Sequence, residues 1–270
     1  MNEQVDVCAL PGVAAGRALG GRASQQDAFI CLDAPDEDAR LMVLVDGMGG
    51  DGAGEQAAAT VVEVARRLWQ AGTWREQPGP LFLETLCQDA HATLRRLRET
   101  LAEGEPHSTI VALLIRDDRA SWVHVGDTRL YLFQGLRCVS QTVDHSVAEF
   151  QRQRGICEGD NQHALLRGLG GAQPPVVDHG VATLRAGQGF ALCTDGVWAH
   201  VSARELAEAA QARDLDAALR DTLALATQRG GAQGDNAALV LVHTADTGWI
   251  RRLGAWWQAK RPAPRNDVTA

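Results

Sequence analysis

The sequence predicts an α+β layered fold, and three observations carry that expectation. Short runs rich in Val, Leu and Ile occur at Leu41–Val45, Ile110–Ile115, Trp122–Val125, Leu130–Phe133, Phe190–Cys193 and Ala238–Val242. Their length and turn-like borders suit buried strands. Two amphipathic helices follow the first strand, and two more precede the last. Strands and helices therefore cluster separately, which favours segregated layers over regular β-α-β winding.

The elements follow in order. The first helix is expected from about Glu55 to Trp69, with Ala58, Val61, Val62, Ala65 and Leu68 on one face. The second runs from about Pro80 to Leu101, with Leu83, Leu86, Ala90, Leu94, Leu97 and Leu101 on its apolar face. Ser121–Phe133 reads as a hairpin or a bulged bend at Gly126-Asp127, and the late helices as Ala203–Ala212 and Leu215–Arg229. Gly155–His163 is polar and irregular, as expected of a mobile surface segment. The expected domains are residues 1–247 and a C-terminal appendage, 248–270.

Composition narrows the class. The 270 residues suffice for a full core, and 45% hydrophobic with 22% charged residues is ordinary for a soluble globular protein. A net charge of −8 argues against a nucleic-acid partner. The six cysteines form no C-x-x-C pair and no zinc-finger spacing, which suggests a reducing compartment. The N-terminus lacks a signal-peptide pattern, and no apolar stretch is long enough to span a membrane. A cytoplasmic location is therefore expected.

The most informative stretch is LMVLVDGMGGDGAGE, Leu41 to Glu55. Gly47–Gly52 fits the dinucleotide pattern G-x-G-x-x-G. Against that reading, Asp46 and Asp51 would both face a pyrophosphate, and the following helix leads to another helix rather than to a parallel strand. An EF-hand is excluded because the alternate positions Met48 and Gly50 offer no carboxylate. What survives is a strand-end carboxylate on a glycine turn, where backbone carbonyls approach an ion as closely as the side chain does.

Asp46 has companions: Asp195 ends a strand in FALCTDGVW, Asp235 begins one in GDNAALVLV, Asp127 sits at the bend in HVGDTRLYLF, and Asp27 lies in GGRASQQDAF. A lone strand-end Asp is usually a cap or turn residue. Several, without thiolate or imidazole partners, favour hard ions such as Mg²⁺ or Mn²⁺.

These pieces, in order, resemble the metal-dependent serine/threonine protein phosphatases (PPM type, protein phosphatase type 2C) in their compact bacterial form. They are RASQQD (22–27), VDGMGG (45–50), GDTR (126–129), TVDHS (142–146), LRGLG (166–170), CTDGVW (193–198) and GDN (234–236), and the likeness covers roughly residues 12 to 244. The resemblance implies an antiparallel β-sandwich with a helix pair on each outer face, in α-β-β-α layers. It implies two to three Mn²⁺ or Mg²⁺ ions: Asp46 bridging two of them, the Gly47 carbonyl helping to hold one, Asp195 and Asp235 completing the other. Asp27 would support the second ion through water, and Asp127 with Asp195 would form a third site. Arg22 would grip the substrate phosphate with its planar fork.

The implied activity is hydrolysis of phosphoserine or phosphothreonine by a hydroxide shared between two cations, with Asp46, Asp195 and Arg22 as the catalytic set. The implied partners are phosphorylated proteins: a Ser/Thr kinase, or a forkhead-associated-type regulator of a secretion system. The alternatives are a catalytically weak phosphoprotein-binding scaffold of the same fold and the nucleotide-binding oxidoreductase raised by the glycine loop.

Three residues depart from the family pattern. Met48 replaces a His proposed as proton donor in many relatives, Gln26 stands where some have Glu, and His107 replaces a small residue. His107 is expected at a strand start and His145 in a packing role. Val147–His163, with Arg152, Arg154, Glu158 and Asp160, takes the place of the family's flap, either gating substrates by charge or lying as a solvated loop. In the tail, Trp249, Ile250, Leu253, Trp256 and Trp257 form an apolar stripe flanked by Arg251, Arg252, Lys260 and Arg261. That stripe suits a partner groove, an anionic membrane surface, or packing back on its own domain.

Overall fold

Strands buried on both faces read as unbroken apolar runs, and such strands form the centre of this structure. The computed structural model describes residues 6–50, 52–156 and 164–244. The elements in order are β1 Asp6–Leu10, β2 Val13–Ala18, β3 Asp27–Ala34, β4 Ala39–Met48, α1 Ala53–Ala71, α2 Gly79–Thr100, β5 His107–Ser108, β6 Ile110–Arg116, β7 Arg119–Val125, β8 Arg129–Gln134 and β9 Arg137–Gln141. There follow α3 Val147–Gln153, β10 Asp178–Thr183, β11 Gln188–Cys193, the short α4 Asp195–Trp198, α5 Ala203–Ala210, α6 Leu215–Gly230 and β12 Ala237–His243.

Two antiparallel sheets result. One has the order β1-β2-β12-β11-β8-β9, the other β10-β7-β6-β4-β3 with β5 paired to β4. The alternation along each central strand sorts side chains into three apolar layers. On β4, Met42 and Leu44 face the other sheet, while Leu41, Val43 and Val45 face α1 and α2. On β12, Ala238, Val240 and Val242 face inward, and Ala237, Leu239 and Leu241 meet α5 and α6. This is the expected α-β-β-α sandwich.

Several sequence expectations need correction. Ser121–Phe133 is not a hairpin: β7 and β8 lie in different sheets, and the Gly126-Asp127 bend carries the chain from one to the other. β12 begins at Ala237, so Asp235 precedes the strand rather than opening it. The expected flap is helical in its first part, as α3. Residues 157–163, including Glu158 and Asp160, lie outside the described residues, as do Asp51 and the whole tail stripe.

Phe190 packs in the layer between the sheets, edge-on to Trp122 at 6.4 Å between ring centroids. Phe190→Ala should cost about 3–5 kcal/mol, because the rigid sheets cannot close on the cavity. Urea unfolding should show a lower midpoint with an unchanged slope; a loss under about 1 kcal/mol would mean that the inter-sheet layer repacks freely.

Candidate metal centre

The acids singled out in the sequence come from both sheets and gather at one end of the sandwich. Asp27 opens β3 and pairs in register with Asp46 near the end of β4. Asp195 does not end β11 as expected but opens α4 two residues beyond it, and Asp235 lies just before β12, the antiparallel neighbour of β11. Asp127 sits on the bend between β7 and β8. Gly47, still within β4, lets the strand approach α1 closely: a Cβ on it would stand 2.0 Å from the Gly54 carbonyl oxygen in the first turn of the helix.

A shell of side chains that sequence reasoning gave no role fixes these positions. The Thr194 hydroxyl donates to Asp27 at 2.7 Å and accepts from the Ala238 amide at 2.9 Å, tying the two sheets together beneath the acids. Thr109 accepts from the Asp46 amide at 3.0 Å, donates its own amide to the Asp46 carbonyl at 2.9 Å, and shares a hydroxyl hydrogen bond with Thr128. The Asn236 side chain accepts from the Gln26 amide at 2.8 Å and donates to the Leu19 carbonyl at 2.8 Å. Trp198 donates its indole N–H to the Asp127 carbonyl at 2.9 Å. Its ring lies 3.6 Å from the Arg129 guanidinium, which grips Asp144 through two bonds of 2.8 and 2.7 Å. Thr194, Trp198, Arg129, Asp144 and Asn236 all lie inside the quoted motif pieces; Thr109 had no such signal.

The electrostatics follow from this crowding. Burial, then Asp27, Asp195, Asp127 and Asp235, push the Asp46 carboxyl well above the usual carboxylate range. Burial and the charges of Asp195 and Asp235 do the same to Asp27, against the Thr194 hydrogen bond. Asp127 is raised to about 7 by burial, Asp195 and Asp144. A carboxylate-only donor set strained by its own negative charge fits hard divalent cations. Among the described residues no three of these acids bring ligand oxygens within 4.8 Å of one another; the group that does is His124, His145 and Asp178.

The remaining expected residues border the same end. Arg22, about half exposed, pairs with Asp235 at 2.5 Å. His107 opens β5 opposite Met48. A cavity of about 350 Å³ opens at Asp127 and Asp195 and is walled by Glu149 and Arg152 of α3. A roomier one, about 840 Å³, lies at the far end of the sandwich beside Arg116 and Arg119, where none of the clustered acids reaches. The dinucleotide reading fails: β4 pairs only with antiparallel neighbours, and α1 leads to α2.

Residues 18–240 match the family model described as protein phosphatase 2C, and the chain belongs to that family. It is 29% identical over 224 residues to the serine/threonine protein phosphatase PstP of Mycobacterium tuberculosis, covering 77% of this chain and 41% of PstP. The chain thus spans about two fifths of that relative's length. The catalytic domain of PstP in complex with two manganese ions superposes with a TM-score of 0.70 at 27% identity, over 86% of this chain and 96% of that one. PppA, titled a key regulatory component of T6SS in Pseudomonas aeruginosa, superposes with a TM-score of 0.66 at 26% identity, over 88% of this chain and 99% of that one.

The raised acids give a pH dependence of definite sign. An unfolded Asp titrates near 3.9. Between there and about 7, the folded metal-free protein keeps the Asp127 proton that the unfolded chain has released. The proton excess of the folded state means that stability falls as pH rises through this window. Asp127→Asn, which cannot ionise, should therefore raise Tm in EDTA by a margin that widens from pH 5 to about pH 7 and then levels. The buried histidines cancel in this comparison. Calorimetry at several pH values checks it; a constant margin would contradict the shift.

Proposed function

We propose that this chain is a metal-dependent protein phosphatase acting on phosphoserine and phosphothreonine. The observation that supports it most is the gathering of five acids from two sheets beside an exposed arginine, in a member of the protein phosphatase 2C family. Asp46, the Gly47 carbonyl, Asp195 and Asp235 would hold two divalent cations, Mn²⁺ or Mg²⁺, with Asp27 supporting one through water and Asp127 with Asp195 offering a third position. Bound there, such cations activate water and offset charge on the phosphoryl oxygens.

The protein's own groups do the rest. Arg22, which pairs with Asp235 at 2.5 Å, would offer its planar fork to two phosphate oxygens. Thr109 and Thr194 hold Asp46 and Asp27 so that little rearrangement is needed during reaction. The chemistry needs no covalent phosphoenzyme, so the cysteines have no role in it. Met48 carries no transferable proton.

The likeness to PppA supports a role in secretion-system regulation; in this reading the enzyme works in the cytoplasm opposite a bacterial Ser/Thr kinase, with the kinase or a forkhead-associated-type regulator as substrate. No described helix is long and apolar enough to cross a membrane. Residues 1–247 form the catalytic domain in this reading, and 248–270 an appendage that packs on that domain or contacts a partner or a membrane surface.

Phosphate release from a phosphothreonine peptide should require Mn²⁺ or Mg²⁺ and stop in EDTA. Asp46→Asn and Asp195→Asn should each lower kcat by about a hundredfold or more, on the scale of losing a preorganised electrostatic group. Arg22→Ala should act largely through KM. A folded, Mn²⁺-loaded protein that binds phosphopeptides without hydrolysing them would favour the scaffold reading instead.

A further inference from the structure

His145 is buried beside the Asp127 bend. It meets that bend twice. Its amide donates to the Gly126 carbonyl at 2.8 Å, and its Nδ1 accepts from the Gly126 amide at 3.1 Å. Its Nε2 faces the Asp178 carboxylate at 3.1 Å. Asp178 in turn accepts from Arg167 at 2.9 Å, and the His145 carbonyl accepts from the Leu166 amide at 2.7 Å. A continuous chain of polar contacts thus runs from the LRGLG segment through Asp178 and His145 to Gly126 and the neighbouring Asp127.

The bend has little freedom of its own. Gly126 has φ +110°, and a Cβ on it would stand 2.6 Å from the Thr109 side chain, the same threonine that holds Asp46. His145 therefore presses the Asp127 turn against the residue that fixes Asp46.

The convergence of His124, His145 and Asp178 within 4.8 Å invites a second metal reading. The tautomer opposes it. With Nδ1 accepting from Gly126, the neutral ring carries its proton on Nε2 and has no lone pair there for a cation. The Arg167 guanidinium, 3.2 Å from Nε2 and 2.9 Å from Asp178, already supplies the positive charge. His124 stacks on His145 with ring centroids 4.5 Å apart, and its own ring nitrogens are buried without partners.

We infer that His145, its tautomer set by the Gly126 amide and Asp178, is a positioning residue that holds Asp127 in place for the cation it shares with Asp195. This rests on the metal-dependent reading above. Residues that orient a metal ligand typically contribute 10–100-fold to metal affinity. The test is Mn²⁺ titration by calorimetry on three folded proteins: wild type, His145→Leu and His145→Asn. The Asn side-chain oxygen stands where Nδ1 stood and still accepts from Gly126.

His145→Leu should weaken the last Mn²⁺ binding step about tenfold or more and raise the Mn²⁺ concentration for half-maximal phosphate release. His145→Asn should stay within about threefold of wild type. A folded Leu variant that binds Mn²⁺ like wild type overturns the proposal, as does an Asn variant as impaired as Leu. If the wild type binds Mn²⁺ but releases no phosphate, the phosphatase reading fails while the calorimetric comparison still decides the role of His145. A wild type that binds no divalent cation overturns both.

Discussion

Five carboxylates confined to one end of a β-sandwich set the terms for everything around them. Like charges in a half-buried space repel, and burial adds a desolvation cost to each ionised form. Asp27 and Asp46 feel both effects, as does Asp127, and each is raised above the ordinary carboxylate range. The local cost is tolerable because the three apolar layers supply the folding energy elsewhere. The crowding is also the source of function, since a site that repels itself binds cations strongly when they arrive.

Such a site must be held against its own repulsion, and the hydrogen-bonded shell does this. Three of the acids are tied through residues of other segments: Asp27 by Thr194, Asp46 by Thr109, the Asp127 backbone by Trp198 and through Gly126 by His145. The Arg129–Asp144 pair lies between these ties, with the Trp198 ring against its guanidinium. Most of the motif residues are therefore not candidate ligands. They connect the strand ends, which explains why the pieces occur at separate points along the chain yet meet at one end of the fold.

Legibility in the sequence tracked burial. The six strands expected from apolar runs, β4, β6, β7, β8, β11 and β12, each have neighbours on both sides within their sheet. Most of the strands without such a signal lie at edges. β9 and β10 are largely exposed, so their sequences RCVSQ and DHGVAT carry no continuous apolar run. β2 is central but built from Ala and Gly, whose small side chains give a weak pattern. The acids were legible because glycines or asparagine mark their turns. Thr109 was not, because a threonine entering a strand looks the same whether or not its hydroxyl holds a neighbour. The sheet switch at Gly126-Asp127 was hidden for a similar reason: local sequence specifies a bend, while tertiary pairing decides which sheet receives the next strand.

The glycines after Asp46 have a different role from the one their spacing suggests. In a dinucleotide site, glycines bring backbone amides to a phosphate. Here Gly47 and Gly54 bring the end of β4 and the first turn of α1 into backbone contact: a Cβ on Gly54 would stand 2.6 Å from the Gly47 carbonyl oxygen, the mirror of the clash at Gly47. The 19-residue helix α1 therefore begins beside the acids, where the partial positive charge of a helix N-terminus opposes their repulsion. That contribution falls off within one turn, so it depends on contact distances that larger side chains at Gly47 or Gly54 would forbid. Close approach, rather than a special backbone angle, is what these two positions require.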